Sequence, residues 1–357
     1  MNQPHEQLSD FLPEYQIAIT QLAKQLNNKK VLVTGAGGFL GSALCRFLRV
    51  GNINVIGFAR GNYPHLKALG VQLIQGDLQD VHTVNAAVKE CAMVFHVASK
   101  AGVWGDKNSY FGPNVLGTEN IIKACEVHKV SRLIYTSTPS VTFEGKDESG
   151  IDESQPYAEH FLNYYGLSKA IAEKRILEAN HKALKTVALR PHLIWGPNDP
   201  HLVPRVIERA KQGKLTLVGK TDKLVDTIYI DNAVYAHLLA AITLDEENSA
   251  CAGKAYFLSN DQPIYMATML NKILAAAKLP PVQQRIPSSV AYFVGSLLER
   301  WYKITKNKNE PIMTRFVAKQ LSTSHYFNID AAKQDFHYKA LISIDEGMKQ
   351  LHNSLQA

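Results

Sequence analysis

Tyr165 and Lys169, four residues apart in NYYGLSKAIAEK, set a phenol and an ammonium on one face of a helix. Delivering hydride to a carbonyl carbon requires a proton at its oxygen, and a positioned phenol supplies one. An ordinary phenol, with a pKa of about 10, is sluggish near neutrality, and a neighbouring lysine cation is expected to lower that value. Lys169 is also suited to holding the ribose of a nicotinamide cofactor. Tyr164 is the competing phenol, but its spacing from Lys169 aligns the two less well. Just upstream, YTSTPSVTF gathers the hydroxyls of Thr136, Ser137 and Thr138. One of them is expected to hydrogen-bond a substrate carbonyl, and the other two to satisfy local backbone groups. Asn114, in GPNVLGTEN, is placed either to hold a relay water under Lys169 or to cap a helix. A YxxxK spacing is common in helices, so its weight here comes from the elements around it.

Those elements are short β-branched runs alternating with helical stretches: KKVLVT, INVIGFAR, VQLIQGD, AMVFHVAS, SRLIYTS and KTVALRP. The alternation predicts an α/β fold with a parallel, doubly wound sheet, whose ligand edge is where strand five delivers the hydroxyls. After the first strand comes GAGGFLG, with Gly35, Gly38 and Gly41 at regular spacing and Phe39 and Leu40 opening a helix. A sharp turn, a close approach to a pyrophosphate and tight helix packing each exclude a Cβ, so the motif predicts dinucleotide binding. The second strand ends in Ala59 and Arg60. With no carboxylate to accept from a ribose 2′-hydroxyl, and a guanidinium that matches a 2′-phosphate, NADP(H) is expected ahead of NAD(H). Asp77 and Leu78, closing the third strand, are expected beside the adenine, and Ala98, after the fourth, beside the cofactor. Beyond WGPNDP the alternation lapses, with strand-like returns at DTIYID and KAYFLS. The reading is an amphipathic leader over 1–28, a Rossmann domain over 29–195 completed by 225–262, and a smaller, mainly helical substrate lobe from 196–224 and 263–357.

The chain has 357 residues, 46% of them hydrophobic, enough for a large core. Its net charge of +7 is dispersed, which suits anionic ligands and argues against a nucleic-acid surface. Four scattered cysteines, with no CxxC pair, signal neither disulfides nor a metal site and fit a reducing cytoplasm. The first residues carry acids and no apolar core of a secretory signal. Val290 to Leu298 is too short to span a bilayer. With LLERWYKITKNK after it, this stretch is expected either to cap a substrate pocket or to lie on a membrane surface or partner.

Taken together, GAGGFLG, HVASKAG, NVLGTEN, YTSTPSV, YYGLSK and LRPHLIWGP resemble the extended short-chain dehydrogenase/reductases, in their 3β-hydroxysteroid dehydrogenase branch. The resemblance runs from about Lys29 to the end of the chain. It implies Thr138 as the active-site hydroxyl, Tyr165 and Lys169 as its partners, and Pro191 beside the nicotinamide. It also implies a homo-oligomer. Within the branch, TSTPSVTFEGKDESGIDESQPY, VDTIYIDNAVYAHLLA and EPIMTRFVAKQLSTSHYFNIDAAK look most like bacterial 2-alkyl-3-oxoalkanoate reductases of long-chain olefin biosynthesis, which implies contact with other enzymes of that route. Sterol-4-carboxylate 3-dehydrogenases (decarboxylating) come next. Both interconvert 3-keto and 3-hydroxy acids, so a lipid-like keto acid is the expected substrate. Its carboxylate needs a buried cation or donor, for which Lys100 and then His192 are the candidates. A nucleotide-sugar epimerase is disfavoured by the missing acid after the second strand. A sugar dehydratase is disfavoured by Pro139 and Ser140 where carboxylates are required. A catalytically silent NADP-sensing protein is disfavoured by the intact Tyr165, Lys169 and Thr138.

Overall fold

The structure, a computed structural model, describes residues 6–307 and 309–356. The β-branched runs form seven parallel strands: β1 Lys30–Thr34, β2 Val55–Ala59, β3 Gln72–Gln75, β4 Cys91–His96, β5 Arg132–Thr136, β6 Lys185–Pro191 and β7 Lys254–Leu258. They lie in the order β7-β6-β5-β4-β1-β2-β3, so the chain winds one way from β1 and then returns to wind the other. A sheet covered on both faces must be apolar on both. Accordingly Val31, Val33, Phe95, Ile134 and Leu189 enter one buried cluster, and Leu32, Val94, Leu133 and Ala188 the other.

Eight helices matter to the argument: α1 Pro13–Leu26, α2 Phe39–Val50, α3 Gly117–Val127, α4 Tyr164–Glu178, α5 Ile230–Thr243, α6 Ser288–Ile304, α7 Arg315–Ser322 and α8 Ile344–Gln356. Helices α1, α2 and α5 cover the first face, and α3 and α4 the second. The leader is thus part of the core: Tyr15, Ile19 and Leu22 are buried and pack with α2 and α5. Of DTIYID only Ile228–Tyr229 is extended, paired with Ile194–Trp195, before α5 begins at Ile230, whereas KAYFLS supplies β7.

Residues 196–224 and those after 262 carry the helices Leu202–Lys211 and Met266–Ala276 together with α6 and α7. A second sheet, ordered Ile264–Tyr265, Leu224–Val225, His325–Phe327 and Glu148–Ile151, draws its last strand from between β5 and β6. The chain then returns. Tyr338 and Ile342 are buried in the cluster under the main sheet, and α8 lies along Met266–Ala276.

Candidate active site

Gly35 leaves β1 with φ +68°, a conformation that side chains disfavour, and a Cβ there would lie 2.8 Å from the Ala98 backbone. A Cβ on Gly41 would come within 2.1 Å of the Gly35 carbonyl oxygen. These contacts bring the β1 turn, the start of α2 and the residue after β4 together. The N-cap of α2 is Gly38, which offers no side-chain acceptor, so the first N–H groups of the helix stay available to an anion. That cradle fits a dinucleotide pyrophosphate. Arg60 is exposed at the end of β2, with no carboxylate at ion-pair distance among the described residues. Beside it the Tyr63 ring lies over Gly37 and Gly61. Asp77 is exposed and accepts from the Gln79 N–H at 2.9 Å, whereas Leu78 is buried and its carbonyl accepts from Asn120. Pro191 ends β6, in register with Leu258 of β7.

The three hydroxyls after β5 have separate fates. Thr136 points into the core and donates at 2.9 Å to His237 Nε2, since His237 Nδ1–H is committed to the Ala233 carbonyl. Ser137 Oγ is buried with no partner among the described residues, which leaves it for a ligand. Thr138 caps the short turn Pro139–Val141, accepting from the Ser140 N–H at 3.2 Å and donating to Ser140 Oγ at 3.3 Å, and its hydroxyl lies on the Tyr165 side of the site. Burial holds the Tyr165 phenol above its ordinary value, and the Thr138 contact only partly offsets this. Lys169 is buried and donates at 2.6 Å to the Thr136 carbonyl, with its ammonium 4.0 Å from the centre of the Tyr135 ring. Burial draws the Lys169 amine down to about 7, with the Glu173 carboxylate opposing. The i,i+4 register puts both groups on one face, and the Lys169 ammonium is hydrogen-bonded to the Thr136 carbonyl rather than to the phenol.

The Asn114 side chain does not cap a helix: its carbonyl accepts from the Lys100 N–H at 2.7 Å, and its amide donates to the Lys100 carbonyl and to Ser168 Oγ at 2.9 Å, which spends both amide hydrogens. It therefore fastens the loop after β4 to α4. Lys100 itself has its ammonium 4.7 Å from the centre of the Tyr110 ring, and that ring is 6.5 Å from Tyr165. No carboxylate lies at ion-pair distance from it among the described residues. His192 is the second substrate candidate, and the structure removes it as a cation. It is buried against His325, Nε2 to Nδ1 at 2.7 Å, and burial holds it well below the ordinary imidazole range.

Two supporting networks were not foreseen. His96, in HVASKAG, receives a hydrogen bond from Thr34 at Nδ1 and donates from Nε2 to Thr118, whose hydroxyl continues to the Asn114 carbonyl. Burial, with Lys169 nearby, holds His96 down to about 3. Beneath Lys169, Glu173 is fully buried and takes three hydrogen bonds from Arg190 and one from Tyr157 at 2.7 Å. A glutamate one turn after Lys169 and an arginine in the β6 run were signals in the sequence, but their meeting was not.

A Rossmann sheet that brings a glycine cradle to one edge with Tyr165, Lys169 and Thr138 defines an NAD(P)-dependent dehydrogenase/reductase acting on CH–OH groups. The chain belongs to the 3-beta hydroxysteroid dehydrogenase/isomerase family, whose sequence model matches residues 32–285. It is 62% identical over 347 residues to a 2-alkyl-3-oxoalkanoate reductase of Shewanella oneidensis, covering 95% of this chain and 89% of that protein. It is 34% identical over 344 residues to a decarboxylating sterol-4-alpha-carboxylate 3-dehydrogenase of Mus musculus, covering 94% and 93%. Among solved structures, a UDP-glucuronic acid 4-epimerase from Bacillus cereus in complex with NAD shares the fold at TM-score 0.70 and 20% identity, over 92% of this chain and 98% of that one. No helix among the described residues is long and apolar enough to cross a membrane. The four cysteines are free and buried.

Proposed function

We propose that the chain reduces the 3-keto group of a 2-alkyl-3-oxoalkanoate to the 3-hydroxy acid with NADPH, as a step of long-chain olefin biosynthesis. The observation that carries the reading is a cation without a carboxylate partner, Lys100, one aromatic ring away from the proton donor Tyr165. The high identity to the Shewanella oneidensis reductase supports the same substrate class. Arg60, at the strand end where an NAD site has an acid, supports NADPH.

NADPH, when bound across the glycine cradle, supplies the hydride. Thr138 holds the keto oxygen against Tyr165, whose phenol is kept neutral by burial and so is in the protonation state a reduction consumes. As the proton leaves, the Lys169 cation beneath the sheet edge stabilises the phenolate, and Glu173 keeps that cation charged. Lys100 pairs with the substrate carboxylate, which would otherwise be costly to desolvate.

NADPH consumption with a 2-alkyl-3-oxoalkanoate and with its methyl ester, for wild type and Lys100→Met, tests this. The substitution is expected to raise KM for the acid about 10- to 100-fold, through loss of a charge-assisted hydrogen bond of roughly 1.5–3 kcal/mol, and to leave the ester unchanged. Equal effects on both would remove Lys100 from the substrate site. Turnover of a 3-hydroxy-4-carboxy sterol with loss of carbon dioxide, and none of the alkyl keto acid, would favour the activity for which the mouse relative is named.

A further inference from the structure

A helix on the surface of a protein normally turns its large apolar residues inward. Helix α6 does the reverse. Its buried residues are Ala291, Gly295 and Glu299. A Cβ on Gly295 would lie 2.7 Å from the Thr314 backbone, and Glu299 accepts from the backbone N–H and the guanidinium of Arg315. This small-residue face fits closely against the start of α7. Val290, Phe293, Val294, Leu297, Trp301 and Ile304, at spacings of three and four, form one stripe on the outward side. Phe293 is 63% exposed, Trp301 62% and Ile304 72%. An apolar stripe of this length left in water marks a surface built to be covered.

The charges beside the stripe indicate what covers it. Arg300, Lys303 and Lys306 are exposed at its far end, with no carboxylate at ion-pair distance among the described residues. The one acid of the helix, Glu299, is turned inward and spent on Arg315. Outward, then, α6 offers apolar side chains, one tryptophan and only positive charge, which is the composition of a helix lying in the headgroup region of an anionic bilayer. The same end meets the substrate edge. Trp104 packs against Tyr302 and donates to the Asn307 carbonyl, and the Trp104 carbonyl accepts from the Tyr110 hydroxyl at 2.9 Å.

We propose that the outward face of α6 docks the enzyme on the surface of anionic lipid bilayers, with the loop around Trp104 facing the lipid. This does not depend on which keto acid is reduced. The test is cosedimentation of the full chain with vesicles of phosphatidylglycerol and phosphatidylcholine, compared with pure phosphatidylcholine, at low and high salt. Wild type is expected to bind the anionic vesicles about 10-fold or more tightly than the neutral ones, and to be released by salt. Phe293→Glu with Leu297→Glu should weaken binding by about 100-fold, two large apolar contacts at roughly tenfold each. Circular dichroism and turnover of a short, water-soluble keto acid should be unchanged. Arg300→Glu with Lys303→Glu, which leaves the apolar stripe intact, should remove the preference for anionic lipid. Failure of wild type to bind, or equal binding by both double variants, overturns the proposal. So does a wild-type dimer that the first double variant splits without lipid playing any part, which would assign the stripe to a second copy of the chain.

Discussion

Replacing Glu173 by Gln keeps the shape of the side chain and removes the only carboxylate facing both Arg190 and Lys169 from within α4. Glu173 is fully buried and Arg190 nearly so, with guanidinium nitrogens at 2.5, 3.0 and 3.2 Å from the carboxylate oxygens. Breaking a buried pair by neutralising one partner leaves a desolvated charge and costs about 3–5 kcal/mol. With a urea slope of a few kcal/mol per molar, that lowers the unfolding midpoint by about 1–2 M. A second effect falls on Lys169, whose amine is already drawn down to about 7 by burial and is held up by Glu173. Without that carboxylate the amine loses its proton at lower pH. With that cation supporting transfer from Tyr165, kcat/KM for reduction falls as pH rises through the Lys169 pKa, and in Glu173→Gln this fall should begin at lower pH. Urea melts and a pH profile of initial rates, each with wild type alongside, measure the two effects. An unchanged unfolding midpoint would refute the ion-pair argument. A pH limb at the wild-type position in a destabilised variant would refute the coupling to Lys169.

Tyr165→Phe should lower turnover by about 10²- to 10⁴-fold while NADPH binding, followed by fluorescence, survives; near-normal turnover would move the proton donor to another group. Arg60→Ala should weaken NADPH by about 10- to 100-fold and NADH hardly at all, as measured by KM for each, and equal losses would leave the 2′-phosphate contact unsupported. His96 is held down to about 3, so between pH 6.5 and 3 the unfolded chain binds the extra proton, and stability contributed by this neutral imidazole is lost as pH falls through that window. Its full size is roughly 5 kcal/mol at about 1.4 kcal/mol per unit. The pH dependence of urea midpoints should therefore be shallower in His96→Gln than in wild type, and parallel curves would show His96 to be charged in the fold.

What the sequence revealed was governed by distance along the chain. The glycines at 35, 38 and 41 were legible because a sharp turn, a close approach and a helix start all fall within seven residues, and Tyr165 and Lys169 because helical periodicity places them together. The sheet was legible from strand runs that need apolar residues on both faces. The His192 to His325 contact spans 133 residues, and nothing local to either imidazole announces the other. Nor does periodicity say where a long side chain ends: Lys169 has the spacing to reach Tyr165 but delivers its ammonium to the Thr136 carbonyl. In α6 the apolar stripe was visible, but its direction was decided by Gly295, which alone fits against the Thr314 backbone.

The side chain of Asn232, buried in α5, ties three distant stretches of chain to that helix. Its carbonyl accepts from the Leu341 and Ile342 N–H groups and from Tyr15, and its amide donates to Asn260 and to the Ile342 carbonyl. None of these partners is nearer than 28 positions along the chain. The knot can be completed only after residue 342 has been synthesised, and until then the Asn232 amide lacks its bonds to the 341–342 backbone. The nucleotide half and the closing segment are in this way bound to mature as one cooperative unit. A recombination that exchanged the segment after residue 330 for that of a distant relative would have to bring a compatible main-chain loop for Asn232, whatever it did to substrate choice.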